Sequence, residues 1–480
     1  MPSAFHSLRP SLIKRKHKHK STRRGGKRPK KTGESTSLAA GGEDASFDLK
    51  GSASASTASG CGVGGSLVQP LGNLLLAAAG RANLRDASLG GLRQLPDDLL
   101  LDVLGLLPAR DLAALSAASK ALYVISSHDP LWRAIVLDEL GGDFAFAGSW
   151  RATYIAAVSG RAHRPPRALE ISGFYSDYLF QSWLCANMEM RAEWLERDTI
   201  DRRRGLSVEK FIAEHEEPNW PVLLEGCLDS WPALQKWTRE YLLEVSAGKE
   251  FAVGPVPEMG SDYEVPVYFQ EDLFKVLGEE RPDYRWVIIG PAGSGSSFHV
   301  DPNSTSAWNA VIKGAKKWVM FPPEVPPPGV HPSSDGAEVT SPVSIMEWFM
   351  NFYGACRTWE KRPIECVCRA GEIVFVPNGW WHLVINLEES IAITQNYVSR
   401  RNLLNVLDFL KRPNASELVS GTKDRVNLHD KFRKAIDTAY PGTISQLEVE
   451  AQQKAAARKK KVAFWDSAVD ANTGGFKFSF

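Results

Sequence analysis

"SSFHVDPNSTSAWNAVIKGAKKWVMF", residues 296–321, decides how this chain is read. Side chains alternate across a strand with period two, so His299 and Asp301 project to one face and Val300 to the other. Pro302 then stops the strand, which presents an imidazole and a carboxylate together at a strand end. Further along, Asn309, Lys313, Lys316 and Lys317 stand among apolar residues. A lysine almost never points into an apolar interior without an anionic partner. Lys316 and Trp318 share one face and Lys317 takes the other. One of the two is therefore expected inward and paired, the other solvated. Lys313, just before Gly314, is expected at a solvated turn.

A His-x-Asp pair alone is weak evidence, since most such pairs are ordinary polar groups. A third ligand has to come from a return strand, and "VPNGWWHLVIN" (376–386) supplies His382. Two histidines and one carboxylate on one face of an Fe(II) ion leave open positions, the facial triad of non-haem oxygenases. In "SIAITQNYV" (390–398), Thr394 and Asn396 share a face with Ala392 among apolar residues. Inward hydroxyl and amide groups need partners. A small dicarboxylate would satisfy Lys316 and Thr394 together.

The chain has 480 residues, 43% hydrophobic and 24% charged, with a formal net charge of +1. That length allows more than one domain. The neutrality hides a block, "KRKHKHKSTRRGGKRPKK" (14–31), with no acidic residue. It cannot build a core and reads as a disordered nuclear-import signal or nucleic-acid-contacting arm. No apolar run is long enough to span a membrane. The six cysteines are sparse and form no CxxC, so the thiols read as reduced in an intracellular setting. Cys366 and Cys368 would share a strand face, but a lone CxC is weak evidence for zinc.

Residues 1–88 read as a disordered, basic, low-complexity tail that includes an apolar island, "LVQPLGNLLLAAAG". "LPDDLLLDVLGLLPARDLAALSAASKALYVISSHDPLWRAIVLDEL" (95–140) is helical by periodicity. Leu99, Leu100, Val103 and Leu107 form one stripe, and Leu112, Leu115 and Ala118 another, broken by Pro108. Pro96 marks a helix start, and Asp111 is expected to cap the next helix. The Leu-Pro start, the Leu-Pro break and the closing "LW" at Leu131 and Trp132 make residues 90–140 resemble an F-box domain. That resemblance implies docking onto a Skp-type adaptor of cullin ubiquitin ligases. Residues 141–206 read as a helical linker ending in a charged helix, "MEMRAEWLERDTIDRRR". From Ser207 to about residue 400, short β-branched and aromatic segments with turn signals suggest a sandwich or barrel. The Pro-rich loop 322–342 is long enough to be a lid or binding loop. Residues 401–480 read as a helical extension.

"YRWVIIGPAGSGSSFHVDPNSTSAWNAVIKGAKKWVMFPP" and "GEIVFVPNGWWHLVINLEESIAITQNYVS" resemble the JmjC domain. More narrowly they resemble its phosphatidylserine-receptor-like subgroup, joined to an F-box as in a plant- and alga-type branch. The resemblance covers about residues 170 to 400. It implies a mixed α+β chain whose core is a double-stranded β-helix, a cupin-like jelly roll with flanking helices. It implies an oxygenase using Fe(II), 2-oxoglutarate and O2, with His299, Asp301 and His382 on the metal. It implies that Lys316 pairs with the distal carboxylate of 2-oxoglutarate, that Thr394 and Asn309 hydrogen-bond the cosubstrate, and that Asn396 lines the pocket. Ser296 keeps a hydroxyl where the subgroup often has threonine. The implied substrates are histone tails or other basic nuclear proteins, through arginine demethylation or lysyl hydroxylation. The alternative is an adaptor whose JmjC fold recruits targets without chemistry. One departure stands out: between "FAVG" (251–254) and Tyr263 the family usually carries a few dozen more residues, including a strand whose aromatic lines the cosubstrate pocket.

Overall fold

The computed structural model describes residues 82–160, 171–247, 259–336, 338–342, 344–357 and 362–471, with side chains left aside at 186–187 and 458–471. The basic block, the apolar island, "FAVG" and half of the shortened join therefore lie outside the described residues.

The first helices form a small apolar core. They are α1 (Leu84–Ser88), α2 (Asp97–Leu104), α3 (Ala109–Ser116), α4 (Lys120–Ser126), α5 (Asp129–Leu140) and α6 (Trp150–Ser159). Ordered helix thus begins within the stretch expected to be tail. Asn83 starts it, its side chain accepting from Arg85 N at 3.1 Å. Pro96 and Pro108 are the N-cap residues of α2 and α3, so Asp111 lies in the first turn of α3 instead of capping it. There it still favours the helix N-terminus electrostatically. The buried stripe of α2 is Leu100, Leu101 and Leu104, packed with Leu112, Ile125, Leu131 and Trp132. Leu99 and Val103, expected inward, face solvent because the contact face is rotated by one residue.

The segment read as a helical linker divides between two neighbours. Phe174 and Leu179, the latter in α7 (Asp177–Asn187), join the core of the first helices. Asn83 clasps Tyr175 through both backbone groups, at 2.9 and 3.0 Å. The charged helix expected over 188–204 is replaced by a single turn, α8 (Ala192–Leu195), and a strand, β1 (Asp201–Arg204). Strand β1 lies parallel to β2 (Val222–Glu225). Two of its arginines find carboxylates, Arg202 reaching Asp198 at 2.7 Å and Glu372 at 3.0 Å and Arg203 reaching Glu214 at 3.2 Å. Charge made the segment look like a solvated helix, whereas its pairing with β2 holds it extended.

Helix α9 (Val208–Phe211) runs into a π turn at Ile212–Glu216, and α10 (Ala233–Lys236) and α11 (Arg239–Ser246) follow. The remaining strands are β3 (Arg285–Gly290), β4 (Gly295–His299), β5 (Ser306–Lys313), β6 (Ala315–Phe321), β7 (His331–Pro332), β8 (Val339–Thr340), β9 (Ile364–Arg369), β10 (Glu372–Val376), β11 (Trp381–Asn386) and β12 (Ser390–Tyr397). They make a six-stranded sheet, β1-β2-β10-β5-β12-β3, and a four-stranded sheet, β4-β11-β6-β9. Every pairing but β1–β2 is antiparallel. From β3 to β6 and again from β9 to β12, consecutive strands alternate between the two sheets, which winds the chain into a double-stranded β-helix. Gly314 carries the chain from β5 to β6 across the sheets with φ +81°, and a side chain there would meet the Glu389 carbonyl at 2.5 Å.

The Pro-rich loop is anchored, not free. Val325 and Val330 are buried, and Trp348, in α12 (Ile345–Asn351), donates its indole N–H to Pro328 O at 2.8 Å. Helices α13 (Leu403–Leu410), α14 (Ala415–Leu418), α15 (Leu428–Ala439) and α16 (Thr443–Ala471) follow the last strand. Side chains of α13 to α15, with Ile444, share a core with Leu273, Phe274 and Leu277.

Candidate functional site

Between the sheets lies a cavity of about 690 Å³, within the usual range for small-molecule sites. Its lining includes His299, Asp301, Asn309, Lys316, His382, Thr394, Asn396 and Ser296, so the fold gathers all eight residues singled out in the sequence. No described residue of the Pro-rich loop is among them.

His299 and His382 face each other across the β4–β11 pairing, with ring centroids 4.1 Å apart. Asp301 follows β4 by two residues. One ligand atom from each of the three lies within 4.8 Å of the others, and this is the metal-capable cluster among the described residues. Each histidine sets its Nδ1 against a carbonyl two residues back, Ser297 O at 2.8 Å and Trp380 O at 3.0 Å. An N–H on Nδ1 donates to that carbonyl and leaves the Nε2 lone pair for a metal. Burial pushes the Asp301 carboxyl up, against the pull of His299 and the Asn396 hydrogen bond. Burial, then His299, holds His382 well below the usual imidazole range. Asp301 Oδ2 is buried with no hydrogen-bond partner. A buried carboxylate oxygen without a donor, beside two imidazoles, fits a divalent cation.

The turn carrying Asp301 is held from behind. Asn303 and Ser304 both adopt left-handed backbone, φ +55° and +56°. The Asn303 side chain clasps Ser420 through N and O, at 3.1 and 3.0 Å. Asn378 donates to the Ser304 carbonyl and hydroxyl and accepts from Asn405, in α13, at 2.8 Å. Trp380 and Asn378, which lead into the other histidine, tie to Asn219 at 2.8 and 2.9 Å.

The far wall of the cavity is cationic. Lys316 is buried, and its Nζ donates to Asn386 Oδ1 at 2.7 Å. Burial lowers its pKa to about 8. Lys317, expected to be solvated, is fully buried on the other face. Its Nζ reaches Glu365 Oε2 at 2.9 Å and Arg197 O at 2.8 Å. The expectation failed because the segment before β1 covers that outer face and brings Arg197 with it. Arg197 and Tyr353 complete the coordination of Glu365, at 3.2 and 3.0 Å. Lys313 is exposed at its turn, as expected, near Glu389.

Thr394 and Asn309 are register partners on β12 and β5. The Thr394 hydroxyl donates to Trp308 O at 3.1 Å, and Asn309 Oδ1 is buried without a partner. Asn396 donates to Thr305 Oγ1 at 2.7 Å. Trp318 stacks on His382, centroids 5.9 Å apart. Cys366 and Cys368 do share a face, inside the barrel opposite Trp318 and Lys316. Burial pushes both thiols up, which suits packing and not metal binding. Sequence reasoning missed Asn386, although counting by two from His382 along β11 reaches it.

Residues 255–402 match the cupin-like domain family, and residues 92–138 match the F-box-like family. The arginine-specific demethylase JMJ22 of Arabidopsis thaliana is 61% identical over 447 residues, covering 86% of this chain and 88% of that protein. The chain belongs to the JmjC family of iron- and 2-oxoglutarate-dependent oxygenases. The bifunctional arginine demethylase and lysyl-hydroxylase psr-1 of Caenorhabditis elegans is 36% identical over 253 residues, 43% of this chain and 63% of psr-1. The 2-oxoglutarate and iron-dependent oxygenase JMJD4 of Homo sapiens is 36% identical over 154 residues, 31% of this chain and 36% of JMJD4. The JmjC barrel of this chain is thus an enzyme fold preceded by an F-box-like domain. No helix among the described residues is long and apolar enough to cross a membrane.

Proposed function

We propose that this enzyme oxidises methylated arginine in basic nuclear proteins such as histone tails, returning the unmethylated side chain. On this reading His299, Asp301 and His382 hold the iron. Lys316 takes the distal carboxylate of 2-oxoglutarate, Thr394 and Asn309 hydrogen-bond the cosubstrate, and Asn396 and Ser296 complete the wall. Bound iron and cosubstrate supply the oxidation: 2-oxoglutarate and O2 give succinate and CO2, and one oxygen atom enters a C–H bond of the substrate. The chain's own residues bind and orient. The observation that carries the reading is the pairing, in one cavity, of a two-histidine, one-carboxylate cluster with a buried lysine that has no carboxylate partner among the described residues. An N-methyl carbon, once hydroxylated, leaves as formaldehyde, whereas a hydroxylated lysine methylene is stable. The name of the 61% identical relative favours the first outcome, and that of psr-1 keeps lysyl hydroxylation as the second. The test is succinate release with a panel of methyl-arginine and lysine peptides, read by mass spectrometry. Loss of a methylene supports demethylation, gain of an oxygen supports hydroxylation, and no turnover by folded protein rejects both.

The F-box carries a second, compatible reading, docking to a Skp-type adaptor. Leu99, Val103 and Leu106 are 48%, 47% and 84% exposed along α2 and the turn after it. An apolar face left open on a small helical domain marks an interaction site. Adaptor binding that depends on Leu95 and Pro96 supports this reading. The proposed organisation is a tail over 1–88, an F-box over 90–140, a connecting segment over 141–206, an oxygenase barrel over 207–400 and a helical extension over 401–480. The proposed location is the nucleus.

A further inference from the structure

Two adjacent lysines on β6 are both buried, and the fold treats them differently. Lys317 is given a carboxylate, Glu365. Lys316 is given an amide, Asn386, its direct register partner on β11.

The amide cannot turn over. Asn386 Nδ2 donates to Ser294 Oγ at 2.9 Å and to Pro291 O at 3.4 Å. The Ser294 hydroxyl donates to Pro291 O at 2.6 Å, so it must accept from Asn386. A flipped amide would set two donors against an ammonium group. The backbone fixes the same corner, with Asn386 N donating to Ser294 O and Gly293 N to Asn386 O, each at 2.8 Å. Gly290 leaves room for it, since a side chain there would strike Asn386 Nδ2 and Ser294 Oγ. Such an acceptor aligns the ammonium without cancelling its charge. Lysine carries three donors, and one is spent on Asn386, so donors remain for the cavity.

We propose that Asn386 is a positioning residue for cosubstrate binding, holding the Lys316 ammonium toward the cavity with a neutral acceptor and leaving its charge for the distal carboxylate of 2-oxoglutarate. This rests on the reading of the cavity as a 2-oxoglutarate site. A carboxylate at 386 would pair with Lys316 permanently and compete with the cosubstrate.

The test is Asn386→Asp, nearly isosteric, in the full chain loaded with Mn(II), with 2-oxoglutarate titrated by calorimetry. Mn(II) affinity and thermal midpoint are recorded alongside. The expected result is about a tenfold or greater loss of 2-oxoglutarate affinity with Mn(II) affinity unchanged, because an opposite charge beside Lys316 must be displaced. The pH above which binding declines should also move upward, since the new carboxylate holds the lysine proton. Affinity within about twofold of the parent protein, with an unmoved pH profile, overturns the proposal. If Asn386→Asp does not fold, Ser294→Ala replaces it. Freeing the amide should then weaken 2-oxoglutarate binding by about threefold, and unchanged affinity again overturns the assignment. A parent protein that binds Mn(II) but no 2-oxoglutarate defeats the underlying reading instead.

Discussion

Lys317 Nζ lies 2.9 Å from Glu365 Oε2, and neither side chain is reached by solvent. Removing one member of such a pair strands a buried charge. Glu365→Ala or Lys317→Met should each destabilise the protein by about 3–5 kcal/mol, and replacing both with apolar residues should recover most of that. Denaturant midpoints of the two single variants and the double variant measure it. Single variants as stable as the parent would remove the pair from the account of β6.

Lys316, one residue earlier, is expected to act on binding and not on folding. Lys316→Ala should weaken 2-oxoglutarate binding by about 2–5 kcal/mol, the usual loss when one partner of a buried charge pair is truncated. Calorimetry on the Mn(II)-loaded protein reads it directly. An unchanged affinity would put the distal carboxylate elsewhere.

The same lysine sets a pH dependence. Burial lowers its pKa to about 8, so it is charged below that pH and neutral above it. An anionic cosubstrate needs the charged form. Affinity for 2-oxoglutarate should therefore be flat below about pH 8 and fall above it, where up to one proton is taken up per cosubstrate bound. Titrations at several pH values, in buffers of different ionisation enthalpy, count that proton.

Metal should stabilise the chain through the three-residue cluster. At a hundredfold excess over its dissociation constant, a ligand specific for the folded state adds about 2.7 kcal/mol. Mn(II) should raise the thermal midpoint of the parent protein and leave that of Asp301→Ala or His382→Ala unmoved. A shift that survives both substitutions would place the ion at another site.

On the F-box, Leu106→Glu should abolish adaptor capture. Leu106 is almost wholly exposed, so its replacement should change stability by no more than about 0.5 kcal/mol. Capture by a purified Skp-type adaptor, with the melting curve as control, separates lost docking from lost folding.

Strand parity and turn residues made the barrel and the cavity readable from sequence. The period of two put His299 with Asp301 and Thr394 with Asn396 on shared faces, the resemblance chose Lys316 over Lys317, and Pro302 and Gly314 marked where strands stop or cross. What stayed hidden depended on distant partners. Nothing local to "DRRR" shows that Glu372 will meet Arg202 or that β2 will pair with it, so β1 looked like a solvated helix. Nothing beside Lys317 shows that Arg197 will arrive to roof it, so it looked exposed. In α2 the periodicity was right and its phase was off by one residue, because a leucine-rich helix offers two nearly equal apolar faces. Asn386 was within reach of parity, but an asparagine at a strand end also fits an ordinary turn.

The two left-handed residues after Asp301 bear on where the protein can be cut. Non-glycine residues held in sparsely populated backbone regions cost on the order of 1–3 kcal/mol each and persist only where their surroundings impose them. Here the surroundings are Asn405 and Ser420, beyond the last strand. A fragment ending at residue 402 keeps every side chain that lines the cavity and loses both supports. Expression boundaries drawn around the barrel alone should give soluble protein with a slack metal site, while those extended past Gly421 should restore Mn(II) affinity. The smallest working piece of this enzyme is set by the wall behind the Asp301 turn.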